Sequence, residues 1–77
     1  MYYTERIEYL RECKELTQKD VAEFIGVKRT QYWRYEKGLN EMPLKYIEKL
    51  CKLYSVSADY LLGMTDNPRG SWLDRRR

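Results

Sequence analysis

The sequence predicts an all-α domain of five short helices. Three observations carry that reading. Apolar residues recur at helical spacing along successive stretches of chain. Those stretches are opened by capping residues or closed by glycines. No stretch shows the apolar–polar alternation of a half-buried strand.

The first helix is expected over Thr4 to Glu15. Ile7 and Leu10, followed by Cys13 or Lys14, share one face, with Thr4 as N-cap and Glu5 in the first turn. The second begins after Thr17, which stands three residues before Asp20 as in a capping box with Asp in place of Glu. Val21, Ala22 and Ile25 form its apolar face, and Gly26 supplies a sharp turn. The third runs from about Lys28 to Lys37, with Tyr32 and Tyr35 facing the core, Val27 packing just before them and Gly38 ending the helix. Leu39 to Met42 is a connecting loop. Pro43 sits in the first turn of a fourth helix, where its missing N–H costs nothing. Leu44, Ile47, Leu50, Cys51 and Tyr54 make the core stripe of that helix. Ser57 caps a short fifth helix, Ala58 to Leu62, which ends at Gly63. Residues 1–63 therefore read as one domain, and residues 64–77 as a short, flexible, basic tail of turn-forming composition interrupted by Trp72 and Leu73.

What the chain lacks narrows the chemistry. It has no histidine, so histidine catalysis and histidine metal ligation are excluded. Cys13 and Cys51 are the only cysteines, no CxxC occurs, and a reduced, buried pair is the expected state. The four glycines form no phosphate-binding cluster. No nucleophile–base pair or ligand set stands out, so neither an enzyme nor a cofactor is expected. No stretch approaches the ~20 apolar residues of a membrane span, and no signal-peptide pattern opens the chain. The expected setting is the cytoplasm.

Net charge is +3, too small on its own to identify a nucleic-acid partner. Its placement is more informative. Residues 1–63 hold eleven Lys/Arg against ten Asp/Glu. Within them, Lys28, Arg29, Arg34 and Lys37 face only Glu36 over ten residues, a local balance of +3. Such a patch fits phosphate, although a solvated helix face has the same composition.

The stretch LTQKDVAEFIGVKRTQYWRYEKG, Leu16 to Gly38, places two helices about a tight turn at Gly26. A pair of this kind can cross at a large angle and present its second helix outward. The major groove of B-DNA, about 12 Å wide, admits one α-helix. Lys28, Arg29, Thr30, Gln31 and Arg34 are the basic and hydrogen-bonding groups that an inserted helix needs.

The ordered series Leu16-Thr17-Gln18, Val21-Ala22, Gly26-Val27, Tyr32, Arg34 to Gly38, Pro43, Leu50, Val56-Ser57 and Asp59 to Gly63 resembles the phage-repressor-type, Cro-like helix-turn-helix family, the lambda-repressor-like DNA-binding domains. The resemblance spans roughly residues 4–67. It implies a five-helix domain whose third helix reads DNA. Gln18 would contact phosphate or a base, or only cap its own helix. Lys28, Arg29, Thr30 and Arg34 would face bases, with both arginines candidates for bidentate contact to guanine. Gln31 and Lys37 complete the DNA-facing set.

Two departures from the family stand out. Leu39 and Glu41 replace polar or basic residues of the loop that grips the DNA backbone, leaving Asn40 as its obvious donor. Trp33 replaces a small polar residue and would stack on DNA, cover the bundle or sit in a protein interface. The resemblance also implies a partly buried salt bridge between Arg11 and Glu36.

The function so implied is a sequence-specific, double-stranded-DNA-binding transcriptional regulator, a repressor, bound as a homodimer to a near-palindromic operator. The surplus apolar residues Leu53, Tyr60, Met64 and Trp72 are the expected dimer surface. The alternative is a protein-interaction module, antitoxin-like, that keeps the fold and docks a protein around Trp33 and Leu39.

Overall fold

A computed structural model of the chain describes residues 2–69. It contains α1 (Tyr3–Cys13), α2 (Gln18–Ile25), α3 (Arg29–Glu36), α4 (Leu44–Tyr54) and α5 (Ala58–Leu61). Among the described residues there is no strand. Helices α2 and α3 pack closely on each other, α1 lies against α3 and α5, and α4 bridges α2 and α5.

Each helix starts and stops for a local reason. Tyr2, not Thr4, is the N-cap of α1: the Glu5 carboxylate reaches back and accepts the Tyr2 N–H at 3.2 Å. The helix ends at Cys13 rather than Glu15, because Glu15 turns left-handed at φ +56°. The Glu15 and Leu16 N–H groups then bond the Glu12 and Arg11 carbonyls, closing the helix end. Helix α2 opens with the reciprocal capping box of Thr17 and Asp20. Pro43 lies just outside α4, as its N-cap, and its carbonyl accepts the Tyr46 and Ile47 N–H groups. Ser57 caps α5 by accepting the Tyr60 N–H at 3.1 Å.

The core joins Ile7 of α1, Val21, Ala22 and Ile25 of α2, Tyr32 and Tyr35 of α3, Ile47, Leu50 and Tyr54 of α4, and Leu61 of α5. Four placements differ from the sequence reading. Leu44 begins the α4 stripe but is 77% exposed, because it stands at the rim of a surface cleft beyond Ile47, which is buried. Met42, assigned to the loop, is buried in the core, and its N–H donates to the Tyr3 hydroxyl. Cys13 is exposed; burial pushes the half-buried Cys51 thiol up, with Glu48 adding to the effect. Arg6 is buried although it is charged.

Residues 64–69, grouped with the tail by composition, turn back onto the body. The Ser57 N–H donates to the Pro68 carbonyl at 2.9 Å. Arg6 Nη2 lies 3.2 Å from Asp66 Oδ1. Trp72 and the terminal arginines lie outside the described residues.

Candidate nucleic-acid interface

The turn between α2 and α3 determines where α3 points. Gly26 adopts φ +85°, and both its own N–H and that of Val27 donate to the Ala22 carbonyl at 2.9 Å. A Cβ at Gly26 would meet nothing within 4 Å, so conformation rather than space requires glycine there. Lys28 then takes an extended conformation and begins α3 as its N-cap.

Helix α3 buries one face and exposes the other. Tyr32, Tyr35 and Glu36 point inward. Lys28, Arg29, Thr30, Trp33, Arg34 and Lys37 are exposed, and Gln31 is half-buried. Eight residues at about 1.5 Å each give a rod about 12 Å long, short enough to lie within the major groove.

The acid of this segment is removed from the exposed face. Arg11 Nε donates to Glu36 Oε2 at 2.8 Å, and Nη2 donates to Oε1 at 3.2 Å. Arg11 Nη1 also donates to the Leu16 carbonyl at 2.9 Å, and Gln18 Nε2 to Glu36 Oε1 at 3.0 Å. Burial alone would push the Glu36 carboxyl up. The hydrogen bonds from Arg11 and Gln18 outweigh it and hold the carboxyl below its ordinary range. The Tyr32 hydroxyl is buried close enough to favour the carboxylate, without a hydrogen bond of good geometry. Burial in turn pushes the Tyr32 and Tyr54 hydroxyls up.

Gln18, Arg29, Thr30 and Trp33 line one shallow cleft of about 260 Å³ between the start of α2 and the outer face of α3. Lys19 borders two neighbouring clefts, one shared with Arg11, Gln18 and Arg29 and the other with Glu23, Lys28 and Arg29. Lys19 was passed over in the sequence reading, because a lone exposed lysine carries no pattern and only the fold places it beside Arg29. At the other end of α3, Asn40 Oδ1 accepts Arg34 Nε at 2.7 Å and Gln31 Nε2 at 3.4 Å.

Three of the residues expected at a dimer surface, Leu53, Tyr60 and Met64, lie among the described residues. Leu53 is half-buried against the core, the Tyr60 ring lies 3.9 Å beneath the Arg6 guanidinium carbon, and Met64 is exposed. Phe24 on α2 and Leu39 in the loop are also exposed apolar groups. Among the described residues no helix is long and apolar enough to cross a membrane.

The comparisons with known proteins agree with this geometry. A family model described as helix-turn-helix matches residues 7–61. An HTH-type transcriptional regulator of Bacillus subtilis, YobD, is 41% identical over 66 residues, covering 86% of this chain and 59% of that protein. The cryptic phage CTXphi transcriptional repressor RstR of Vibrio cholerae is 41% identical over 54 residues, covering 70% of this chain and 49% of its own length. The antitoxin PezA of Streptococcus pneumoniae is more distant, 32% identical over 57 residues, covering 74% of this chain and 36% of PezA. The chain thus spans about half the length of the curated relatives it matches most strongly. With two helices about a left-handed glycine, a second helix that turns its cations outward, and a matching family model across most of its length, the chain belongs to the helix-turn-helix family, in its phage-repressor form.

Proposed function

We propose that this chain is a sequence-specific double-stranded-DNA-binding transcriptional regulator, a repressor that acts by occupying its operator with α3 in the major groove. One observation carries the reading. Between Lys28 and Lys37 every cation is exposed, while the single acid, Glu36, is buried and neutralised by Arg11. The face of α3 offered to DNA is therefore cationic and rich in donors, with no exposed acid of its own.

Arg29 and Arg34 are the candidate readers of guanine, and Thr30 and Gln31 can add contacts to base edges. Lys28, Lys37, Lys19 and the start of α2 at Gln18 are suited to phosphate. Gln18 gives one amide proton to Glu36 and keeps the other. Trp33, beside Arg29 and Thr30, is placed to pack on sugar or base. Few phosphate contacts by one small domain support a dimer on a near-palindromic site, with recognition helices about 34 Å apart. The exposed Leu44, Leu62 and Met64 offer apolar surface to a second copy. This role places the protein with its operator in the cytoplasm.

A titration of a labelled duplex across a salt series tests the electrostatic part. Each neutralised phosphate contributes a slope of about −0.9 in log K against log salt. Lys28→Glu and Lys37→Glu are expected to weaken binding and flatten the slope, while Lys52→Glu on α4 leaves both unchanged. Equal effects from all three would count against α3 as the DNA face.

The second reading, a protein partner in the manner of an antitoxin, is favoured by exposed Trp33 on α3 and exposed Leu39 in the loop that follows it. It requires that Trp33→Ala abolish capture of that partner while duplex binding is absent in the unaltered protein.

A further inference from the structure

We infer that Asn40 is a positioning residue for Arg34: its side-chain oxygen fixes the plane of the guanidinium so that the free end can read the O6/N7 edge of one guanine. The inference rests on the DNA-binding reading and adds to it the device that makes one arginine selective. It starts from the loop that follows α3. The Arg34 carbonyl accepts the Leu39 N–H at 2.9 Å and the Asn40 N–H at 3.4 Å. The loop backbone is thereby fastened to the residue whose side chain it will hold.

The side chains then close the arrangement. Arg34 Nε donates to Asn40 Oδ1 at 2.7 Å, at the short end of the range for a charge-assisted bond. Gln31 Nε2 approaches the same oxygen at 3.4 Å. Arginine carries donors only, so the Asn40 atom facing it is the carbonyl oxygen, and Nδ2 stays available to an outside acceptor.

An arginine has five N–H donors in one plane, and a bidentate contact to guanine uses two of them. The bond to Asn40 uses Nε. It leaves Nη1 and Nη2, the forked end, on an exposed side chain with no other hydrogen bond among the described residues. An exposed arginine left unheld would sample many rotamers and bind any phosphate oxygen. Anchored at Nε, it presents one orientation before DNA arrives, so less freedom is lost on binding.

The anchor is neutral, and that matters here. An acid at this position would hold the guanidinium equally well but would offset its charge and repel the phosphate backbone. The one acid of α3, Glu36, faces inward and is bound by Arg11 and Gln18.

The test uses the full chain and the duplex recovered by selection from a random pool. The readout is the ratio of Kd values for that duplex and for versions altered at one G·C pair at a time. Arg34→Ala is expected to lose roughly 5- to 150-fold of discrimination at one pair. Asn40→Ala is expected to lose roughly 2- to 12-fold at that same pair, and the double variant no more than Arg34→Ala alone. Asn40→Asp keeps an acceptor for Nε. It should retain the preference while weakening binding to every duplex alike, which separates positioning from the loss of a donor to phosphate.

If Asn40→Ala keeps the full preference and merely weakens all duplexes equally, Asn40 is a phosphate contact and the inference fails. If Arg34→Ala changes no single position, it fails at its other end. If the unaltered protein shows no preference for any duplex, the DNA-reading proposal itself fails. A measurement without DNA checks the anchor directly. The Arg34 Nε–H should exchange slowly with solvent and lose that protection in Asn40→Ala; equal exchange in both proteins would overturn the inference whatever the DNA result.

Discussion

Arg6 and Arg11 leave the same helix and end in opposite kinds of site. Arg11 meets a carboxylate that is itself buried: the side chains of Arg11 and Glu36 are 13% and 1% exposed. Each charge there is matched by several hydrogen bonds. The Arg6 side chain is only 4% exposed, yet its carboxylate partner, Asp66, is 99% exposed and makes one contact at 3.2 Å. Arg6 Nε and Nη1 have no partner, and the guanidinium lies over the Tyr60 ring instead. The first site holds two charges that depend on each other. The second holds one charge that rests on an aromatic face and is only tethered by its acid. A buried carboxylate stays charged only where donors surround it, whereas a guanidinium, which does not deprotonate, can also be covered by a ring.

The largest expected effect follows from breaking the first site. Glu36→Ala leaves Arg11 buried without its counter-charge and should cost about 3–5 kcal/mol. A domain of this size holds about 4–12 kcal/mol in all, so the loss is a large share of the total and unfolds the variant outright if the starting stability is at the low end of that range. Urea denaturation followed by far-UV circular dichroism measures this. Replacing both partners, Arg11→Met with Glu36→Leu, should cost much less than Glu36→Ala alone. Equal losses would mean that the pair is not mutually dependent.

The same site sets a pH dependence. The Glu36 carboxyl is held below its unfolded value, so its contribution is fully present above the unfolded pKa of about 4.3. That contribution is lost as pH falls through the lower folded value. Denaturation midpoints measured from neutral pH down to about 3 should therefore decline more steeply in the unaltered protein than in Glu36→Gln. Parallel curves would remove Glu36 as the cause.

At the second site, Arg6→Met removes a ring contact but also two unpartnered buried donors. The two effects offset, and the net cost should stay under about 1.5 kcal/mol. A loss as large as that of Glu36→Ala would show that Arg6 depends on its acid after all.

A smaller change sharpens the Arg11 side. Glu15 holds φ +56° in the turn that delivers the Leu16 carbonyl to Arg11. Glu15→Gly relieves that strain and should stabilise by about 0.5–1 kcal/mol. The smallest effect is expected from Asp66→Asn, under about 0.5 kcal/mol, because its carboxylate faces solvent.

The same contrast explains what the sequence made legible. The apolar face of α2 and most of that of α4 were readable, because periodicity reports which side chains leave water. Arg6 was not, because a charged residue registers as surface in any such pattern. Met42 was missed for a related reason: a lone apolar residue beside a proline has no period, and its bond to the Tyr3 hydroxyl of α1 joins positions thirty-nine residues apart. Leu44 failed in the opposite direction, since a stripe cannot tell where it runs past the edge of the core.

At the candidate interface, the cations of α3 were legible as a local excess of charge. Their outward orientation followed from Tyr32 and Tyr35 facing the core, but the withdrawal of Glu36 did not, because it depends on Arg11 twenty-five residues away. That pairing entered through the family resemblance and not through spacing. The Asn40–Arg34 bond had no sequence signal at all, since it requires the loop to turn back on the helix it leaves.

The most direct test of the central claim, that the outward face of α3 reads DNA, is selection from a random duplex pool with the unaltered protein, Arg29→Ala and Arg34→Ala. The expected result is one enriched, near-palindromic motif, in which each variant loses preference for guanine at its own position. No enrichment, or a motif that both variants leave unchanged, would contradict it.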